Sequence, residues 1–273
     1  MPRPSPIAAL LLLAALAHPA AAQERIPSHC IAVAGGIDGA TYLHRAGWRD
    51  PLGADEVRIS YIDHASFLIQ SGGLSAVTDF TGNLGGADLV PDVVTMNNAH
   101  ITHFTSAPDP AIPHALEGWT QGGAAQDHDL DLGMMRVRNV PTDIRGGFEG
   151  LRRNGNSIFV FEAGGLCIGH LGHLHHEPDA AQYAAIGRLD VVMAAVDGGL
   201  TLDTETMIRV LGRLKARVVI PMHWFGRDTL ERFLAGMRGE FDVVDTGLRE
   251  ITLSLHRMPA RPTVMVLEPG PLD

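Results

Sequence analysis

The sequence predicts an α/β fold in which β-sheets pack between helices. Short β-rich runs separated by glycine turns crowd the first half of the chain, and strand–helix–strand units fill the second. At 273 residues, with no repeat of fixed period and no dividing linker, the chain suits one large domain.

Residues 57–62 and 66–70 are short runs rich in β-branched and aromatic side chains, a composition that fits a pleated, half-buried surface. Gly72-Gly73 turns the chain into a third strand over 74–79. Residues 92–96 read as a buried strand running into a polar, histidine-bearing loop, and 135–140 alternates as a half-buried strand does. Segments 157–162 and 166–168 flank Gly164-Gly165 and form a hairpin. A fully apolar strand over 190–196 ends at Asp197-Gly198-Gly199. Met207, Val210, Leu211 and Leu214 have the spacing of one helical face, which predicts a helix over 204–214. The next strand, 217–222, ends at His223. A short helix follows over 229–237, and strands return near 251–256 and 263–267.

Residues 1–22 read as a secretory leader. Arg3 supplies the positive start, 7–17 is an almost unbroken apolar run, and Ala20-Ala21-Ala22 offers the small residues a signal peptidase needs. The apolar run is shorter than the roughly 20 residues of a spanning helix. The expected product is therefore cut after Ala22, periplasmic or secreted, and free of the membrane. Residues 23–55 lack sustained periodicity and are expected to form an N-terminal extension on a domain covering 56–273. Cys30 and Cys167 leave two readings open. An exported chain meets conditions in which they pair, whereas the apolar run around Cys167 would equally bury a free thiol.

The formal net charge is −10, from 21 basic and 31 acidic residues, and loss of the leader would remove Arg3 as well. That acidity argues against general electrostatic binding of nucleic acid or anionic lipid and suits action on a small-molecule substrate. Aromatic residues make up only 5% of the chain and suggest no stacking platform for bases or sugars.

The fourteen histidines matter through their positions. His100 and His103 follow the strand ending at Met96, His170 and His173 follow the strand ending at Ile168, and His223 follows Met222. Carboxyl ends of strands are where an α/β fold carries its chemistry, so three strand ends can aim imidazoles at one point. Imidazole suits zinc and other borderline divalent ions. His44, His114, His128 and His256 stand alone and read as surface or satisfied core residues. His175 and His176 are adjacent and point apart if extended, so at most one faces a site.

In this order along the chain, the residues resemble the metallo-β-lactamase superfamily. The run from Ile59 to Ile69 with Val77-Thr78-Asp79 is similar to the opening of its hydrolases, in particular the branch of ascorbate-phosphate lactonase-like proteins. Asp92-Val93-Val94 resembles the approach to the superfamily's His-x-His-x-Asp-His motif, and Leu166 to His173 resembles its next strand end. Asp197-Gly198-Gly199 and Val218 to His223 resemble its closing segment. The likeness covers roughly residues 56–225 and implies a four-layer αβ/βα sandwich with a metal site along one edge.

The motif is altered. It reads Asn98-x-His100-x-Thr102-His103, and His173 stands where the family has a metal-bridging aspartate. A carboxylate bridges two ions through two oxygens, whereas neutral imidazole offers one lone pair. The expectation is a single zinc, or another divalent ion, held by three or four of His100, His103, His170, His173 and His223. By resemblance Asp197 and His64, with Asp63 and Asp79, belong near the same mouth, Asp197 and His64 in catalysis and Asp79 orienting a ligand histidine. The implied reaction is hydrolysis of a small ester, lactone, amide or phosphodiester by zinc-activated water. The alternative is a metal- or ligand-binding protein that keeps the sandwich without catalysis. A metal-free cluster of packed histidines is disfavoured, because converging imidazoles leave ring nitrogens hard to satisfy.

Overall fold

The computed structural model describes residues 28–32, 47–120, 124–146 and 150–273. The leader over 1–22, His44 and most of the N-terminal extension lie outside them.

A four-residue helix, α1 (His29–Ala32), precedes the strands β1 (Val57–Asp63), β2 (Ser66–Ser71), β3 (Leu74–Val77), β4 (Val93–Met96) and β5 (His114–Glu117). Next come β6 (Asp129–Asp131), β7 (Met135–Gly146), β8 (Gly150–Ala163) and β9 (Leu166–His170). The second half alternates α2 (Ala180–Ile186), β10 (Val191–Ala195), α3 (Thr204–Leu214), β11 (Val218–Met222) and α4 (Arg227–Met237). It closes with β12 (Asp242–Asp245), β13 (Glu250–Leu253) and β14 (Thr263–Val266).

Two sheets result. One has the order β13-β1-β2-β3-β4-β5, the other β12-β14-β11-β10-β9-β8-β7-β6. Their inner faces meet around Ile59, Phe67, Phe159, Ile168 and Ile220, all fully buried. Strand periodicity sends alternate residues the other way, so Val192 and Val219 pack with Leu211 of α3 and Phe233 of α4 on the outer face of the second sheet. The outer face of the first sheet buries Leu68, Val94 and Met96 under Phe80, Leu84 and Ile112, with Trp48, Phe104 and Trp119 at the margin. Loop segments cover it, and no helix does so among the described residues. The α/β sandwich predicted from sequence is present, with its helical layer described on one side.

Local sequence explains the helices. Asp179 caps α2 and Gln182 returns the bond, a reciprocal pair that satisfies two otherwise orphaned N–H groups. Asp203 caps α3 by accepting from the Thr206 N–H. Among the described residues, no helix is long and apolar enough to cross a membrane.

Of the two readings left open for the cysteines, the structure has the disulfide. Cys30 and Cys167 are bonded across 137 residues of sequence, fastening α1 to the helix-facing side of β9. The Cys30 carbonyl accepts from the Arg188 N–H at 2.8 Å, and His29 Nδ1 stands 3.1 Å from Glu162. The α1 segment of the extension is thereby held to the second sheet.

What places the site is the run of parallel pairings β9–β10, β10–β11 and β11–β14. Parallel strands end at the same edge, so the loops after β9, β10 and β11 open together. The β1–β2 turn and the loops after β3 and β4 reach that edge from the other sheet.

Candidate metal centre

Four imidazoles converge where the sheets' edges meet. His64, His100, His103 and His223 each bring one ring nitrogen into a group whose members all lie within 4.8 Å of one another. His64 sits in the β1–β2 turn, His100 and His103 in the loop after β4, and His223 directly after β11. His64, His223 and the neighbouring Asp79 adopt left-handed backbone conformations, with φ of 41°, 58° and 39°. Residues other than glycine seldom hold that conformation, and it concentrates at functional sites. The Tyr61 hydroxyl donates to the His64 carbonyl at 2.7 Å, and the same carbonyl accepts from the His223 N–H at 2.9 Å. The strained turn is thus locked to the strand end beside it.

Three of the four rings have a polar group on the far side. Asp79 Oδ2 stands 2.5 Å from His103 Nδ1, with both side chains fully buried. Asn97 holds the other oxygen of Asp79 at 2.9 Å and accepts from the Ser157 N–H at 2.7 Å. Asp197 Oδ2 lies 3.0 Å from His223 Nδ1. The N–H groups of Gly199, Leu200 and Thr201 and the Thr201 hydroxyl fix that carboxylate. Thr102, which replaces the motif aspartate, places Oγ1 2.7 Å from His100 Nδ1. Asn98, which replaces the first motif histidine, accepts from Arg152 through its main-chain carbonyl.

The opposite nitrogens are left over. Nε2 of His64, His103 and His223 is buried without a hydrogen-bond partner among the described residues, as is Nε2 of His173. A buried polar atom without a partner costs on the order of 1–3 kcal/mol, and the three that belong to the group of four rings call for a ligand. Burial, reinforced by the neighbouring histidines, pushes His64 down to about 3 and His103 to about 2. These rings are neutral and can donate lone pairs. Burial raises the Asp79 carboxyl to about 6. Burial pushes Asp197 up as well, but the contacts from His223, Thr201 and Gly199 outweigh it and hold this carboxyl well below the usual range. Two carboxylates behind the imidazole group balance the charge of one divalent ion. The residues therefore fit such an ion.

The sequence-predicted residues divide. His100, His103 and His223 join His64 in the group, whereas His170 does not. Its Nε2 lies 2.9 Å from the Ala65 carbonyl and its ring packs against Phe67. Residues 168 and 170 share a face of β9, and that face looks into the core between the sheets, where Ile168 also lies. His173 lies beside the group, with ring centroids 4.9 Å from His100 and 5.0 Å from His103, but outside the set of four. Asp63 is exposed, and Asp197 stands behind His223. Among isolated histidines, His128 bonds the Glu117 carbonyl at 2.8 Å, and His256 is exposed.

Sequence reasoning missed Asn97, the brace on Asp79, and did not single out His175. His175 is buried with Nε2 2.5 Å from His173 Nδ1, whereas His176 is exposed. Strand alternation did not reach these loop residues.

The family model described as the beta-lactamase superfamily domain matches residues 58–223. The chain belongs to that superfamily. Among curated proteins it is similar to a UPF0173 metal-dependent hydrolase of Nitratidesulfovibrio vulgaris, 27% identical over 200 residues, covering 65% of this chain and 84% of the relative. A UPF0173 metal-dependent hydrolase of Carboxydothermus hydrogenoformans is 24% identical over 195 residues, covering 62% and 84%. Among solved structures, a protein of Thermotoga maritima assigned to the Zn-dependent hydrolases of the metallo-beta-lactamase superfamily aligns with a TM-score of 0.55 and 25% identity, covering 78% of this chain and 98% of its own. The metallo-beta-lactamase fold protein YhfI of Bacillus subtilis shares the fold, with a TM-score of 0.51 and 13% identity, covering 81% and 98%.

Proposed function

We propose that this chain is an exported metal-dependent hydrolase holding a single zinc ion, and that it acts on a small ester, lactone, amide or phosphodiester. One observation carries the reading. His64, His100, His103 and His223 turn ring nitrogens toward one space, and the buried carboxylates of Asp79 and Asp197 stand behind two of them. An all-imidazole set suits zinc among the divalent ions, and a bridging carboxylate, which a two-ion site uses, is missing from the set.

A zinc ion held there supplies Lewis acidity and lowers the pKa of water toward neutrality. The chain's own residues supply the rest. Asp79 accepts from His103 Nδ1, which keeps that proton off the nitrogen that faces the ion, and the Asp197 carboxylate 3.0 Å from His223 Nδ1 favours the same tautomer by its charge. Thr102 does the same for His100 through its hydroxyl oxygen. Phe225, exposed and with its ring 5.3 Å from His223, stands at the mouth of the group. Ile101 and Leu200 are exposed in the loops that carry His100 and Asp197. Such a rim favours a substrate with an apolar portion. The Cys30–Cys167 disulfide supports an oxidising compartment and hence a leader over 1–22.

The test is metal analysis of the full chain purified from periplasm, followed by hydrolysis of p-nitrophenyl acetate, a γ-lactone and bis-p-nitrophenyl phosphate before and after chelation. The reading expects about one zinc per chain and an activity that chelation removes and zinc restores. Full zinc loading without turnover of any of these would leave a binding protein, and hydrolysis by the metal-free chain would remove the metal from the mechanism.

A further inference from the structure

We infer that His173 is a hydrogen-bond donor to substrate oxygen beside the metal group, not a metal ligand, and that His175 holds it in that form. The inference rests on the metal-centre reading for the position of the substrate, but the tautomer itself follows from geometry alone.

The geometry is a relay of three groups. The main-chain N–H of Arg145 on β7 donates to His175 Nδ1 at 2.8 Å. A peptide nitrogen has only a donor to offer, so His175 Nδ1 must be the accepting, proton-free nitrogen. The proton of His175 is then on Nε2, which lies 2.5 Å from His173 Nδ1. Two N–H groups cannot face each other at that distance, so His173 Nδ1 accepts. The proton of His173 is consequently on Nε2. The opposite assignment would strip both nitrogens of His175 and leave a buried imidazolate.

Nε2 of His173 is buried and has no partner among the described residues. Its ring stands edge-on to its neighbours, at 90° to both His100 and His103 and 77° to His223. To ligate an ion through that nitrogen, the ring would have to give up its only proton. What the position can do is donate one. An N–H held without solvent next to a metal group is placed to bond an oxygen of the substrate, where charge accumulates as water adds to a carbonyl or phosphoryl centre. His173 would touch substrate and is in that sense catalytic, and His175 is a positioning residue. The His173 main-chain N–H is itself fixed by Asn156 Oδ1 at 2.7 Å, which holds the loop against β8.

Nitrogen NMR of the full chain carrying 15N-labelled histidine reads this directly, first metal-free and then loaded with 113Cd. The expected result is an Nε2–H tautomer for His173 in both states, with cadmium–nitrogen splitting on His64, His100, His103 and His223 and none on His173. In His175→Glu, a carboxylate acceptor replaces the donor, so His173 should switch to Nδ1–H and acquire cadmium splitting at Nε2. His173→Gln should keep the wild-type ratio of metal to chain. An Nδ1–H tautomer in the wild type, cadmium splitting on its His173, or no tautomer change in His175→Glu would overturn the proposal. Failure of cadmium to bind would count against the metal reading only, because the metal-free spectrum decides the tautomer by itself.

Discussion

Asp79 and His103 meet out of reach of solvent. Oδ2 of Asp79 stands 2.5 Å from His103 Nδ1, and neither side chain has exposed surface. Asp79 follows β3 and His103 follows β4, two parallel neighbours, so the contact ties the ligand loop to the sheet beneath it. A carboxylate behind a ligand imidazole fixes the ring and raises its basicity, and removing such a partner weakens metal binding by roughly 10–100-fold. Asp79→Asn preserves the shape and the bond to Asn97 but loses the charge. Competition against a chromophoric chelator should show zinc affinity falling within that range. Affinity equal to wild type would remove Asp79 from the design of the site.

Substitution of single histidines separates ligands from neighbours. His103→Ala and His223→Ala each remove a ring nitrogen from the group of four, so both should lose bound zinc through dialysis. His170→Ala should retain it, because His170 Nε2 bonds the Ala65 carbonyl. That variant should instead lose stability by about 2–4 kcal/mol, as truncation of a fully buried ring leaves a cavity. Metal analysis beside urea denaturation reads both effects. Zinc lost from His170→Ala at wild-type stability would reverse the assignment.

Acid should destabilise the metal-free protein. Burial is the first cause of the depressed values at His64, about 3, His103 and His173, both about 2, and His175, about 4. In the unfolded chain each titrates near 6.5. Below that pH the unfolded state binds more protons than the native state, so stability is full above about 6.5 and falls with pH. Asp79, raised to about 6, acts in the opposite sense, since the native state takes up its proton first. Four groups outweigh one. Thermal melts of metal-free protein should therefore show a falling melting temperature from about pH 7 to about pH 5. A flat profile would mean that the rings are not desolvated as described.

Much of the architecture was legible in the sequence because alternation and glycine turns mark strands of the central sheets. The strands predicted over 57–62, 66–70 and 217–222 lie within one residue of those observed. What escaped lies at the edges. Asp129–Asp131 and Asp242–Asp245 are short, charged at both ends and only partly buried, so no alternation distinguishes them from loop. The helix Ala180–Ile186 was missed although Asp179 and Gln182 carry its capping signal. For the site, sequence order placed histidines at strand ends but could not say which way each ring turns. One residue of strand phase sends His170 into the inter-sheet core, and a three-residue step brings His173 back to the group. Asn97 and His175 act only through partners distant in sequence, Ser157 for one and Arg145 for the other.

The disulfide between Cys30 and Cys167 makes a prediction independent of the metal. It closes 137 residues of chain, nearly the whole of the first sheet and the β7–β8 hairpin. In the chain-entropy account a loop of that length removes roughly 5 kcal/mol of unfolded-state freedom, and measured losses for native bridges run about 2–5 kcal/mol. Cys167 lies on the face of β9 opposite Ile168 and His170, packed with Val160 and Val192 on the helix side of the second sheet. Its loss should therefore leave the histidines in place. The double variant Cys30→Ser/Cys167→Ser should unfold at lower urea, with a loss in that range, yet bind zinc in the wild-type ratio when folded. An unchanged midpoint would mean that the closed loop is already restrained in the unfolded chain. Lost zinc in the folded variant would mean that α1 supports the ligand loops through the sheet, a coupling that the opposite facing of Cys167 and His170 argues against.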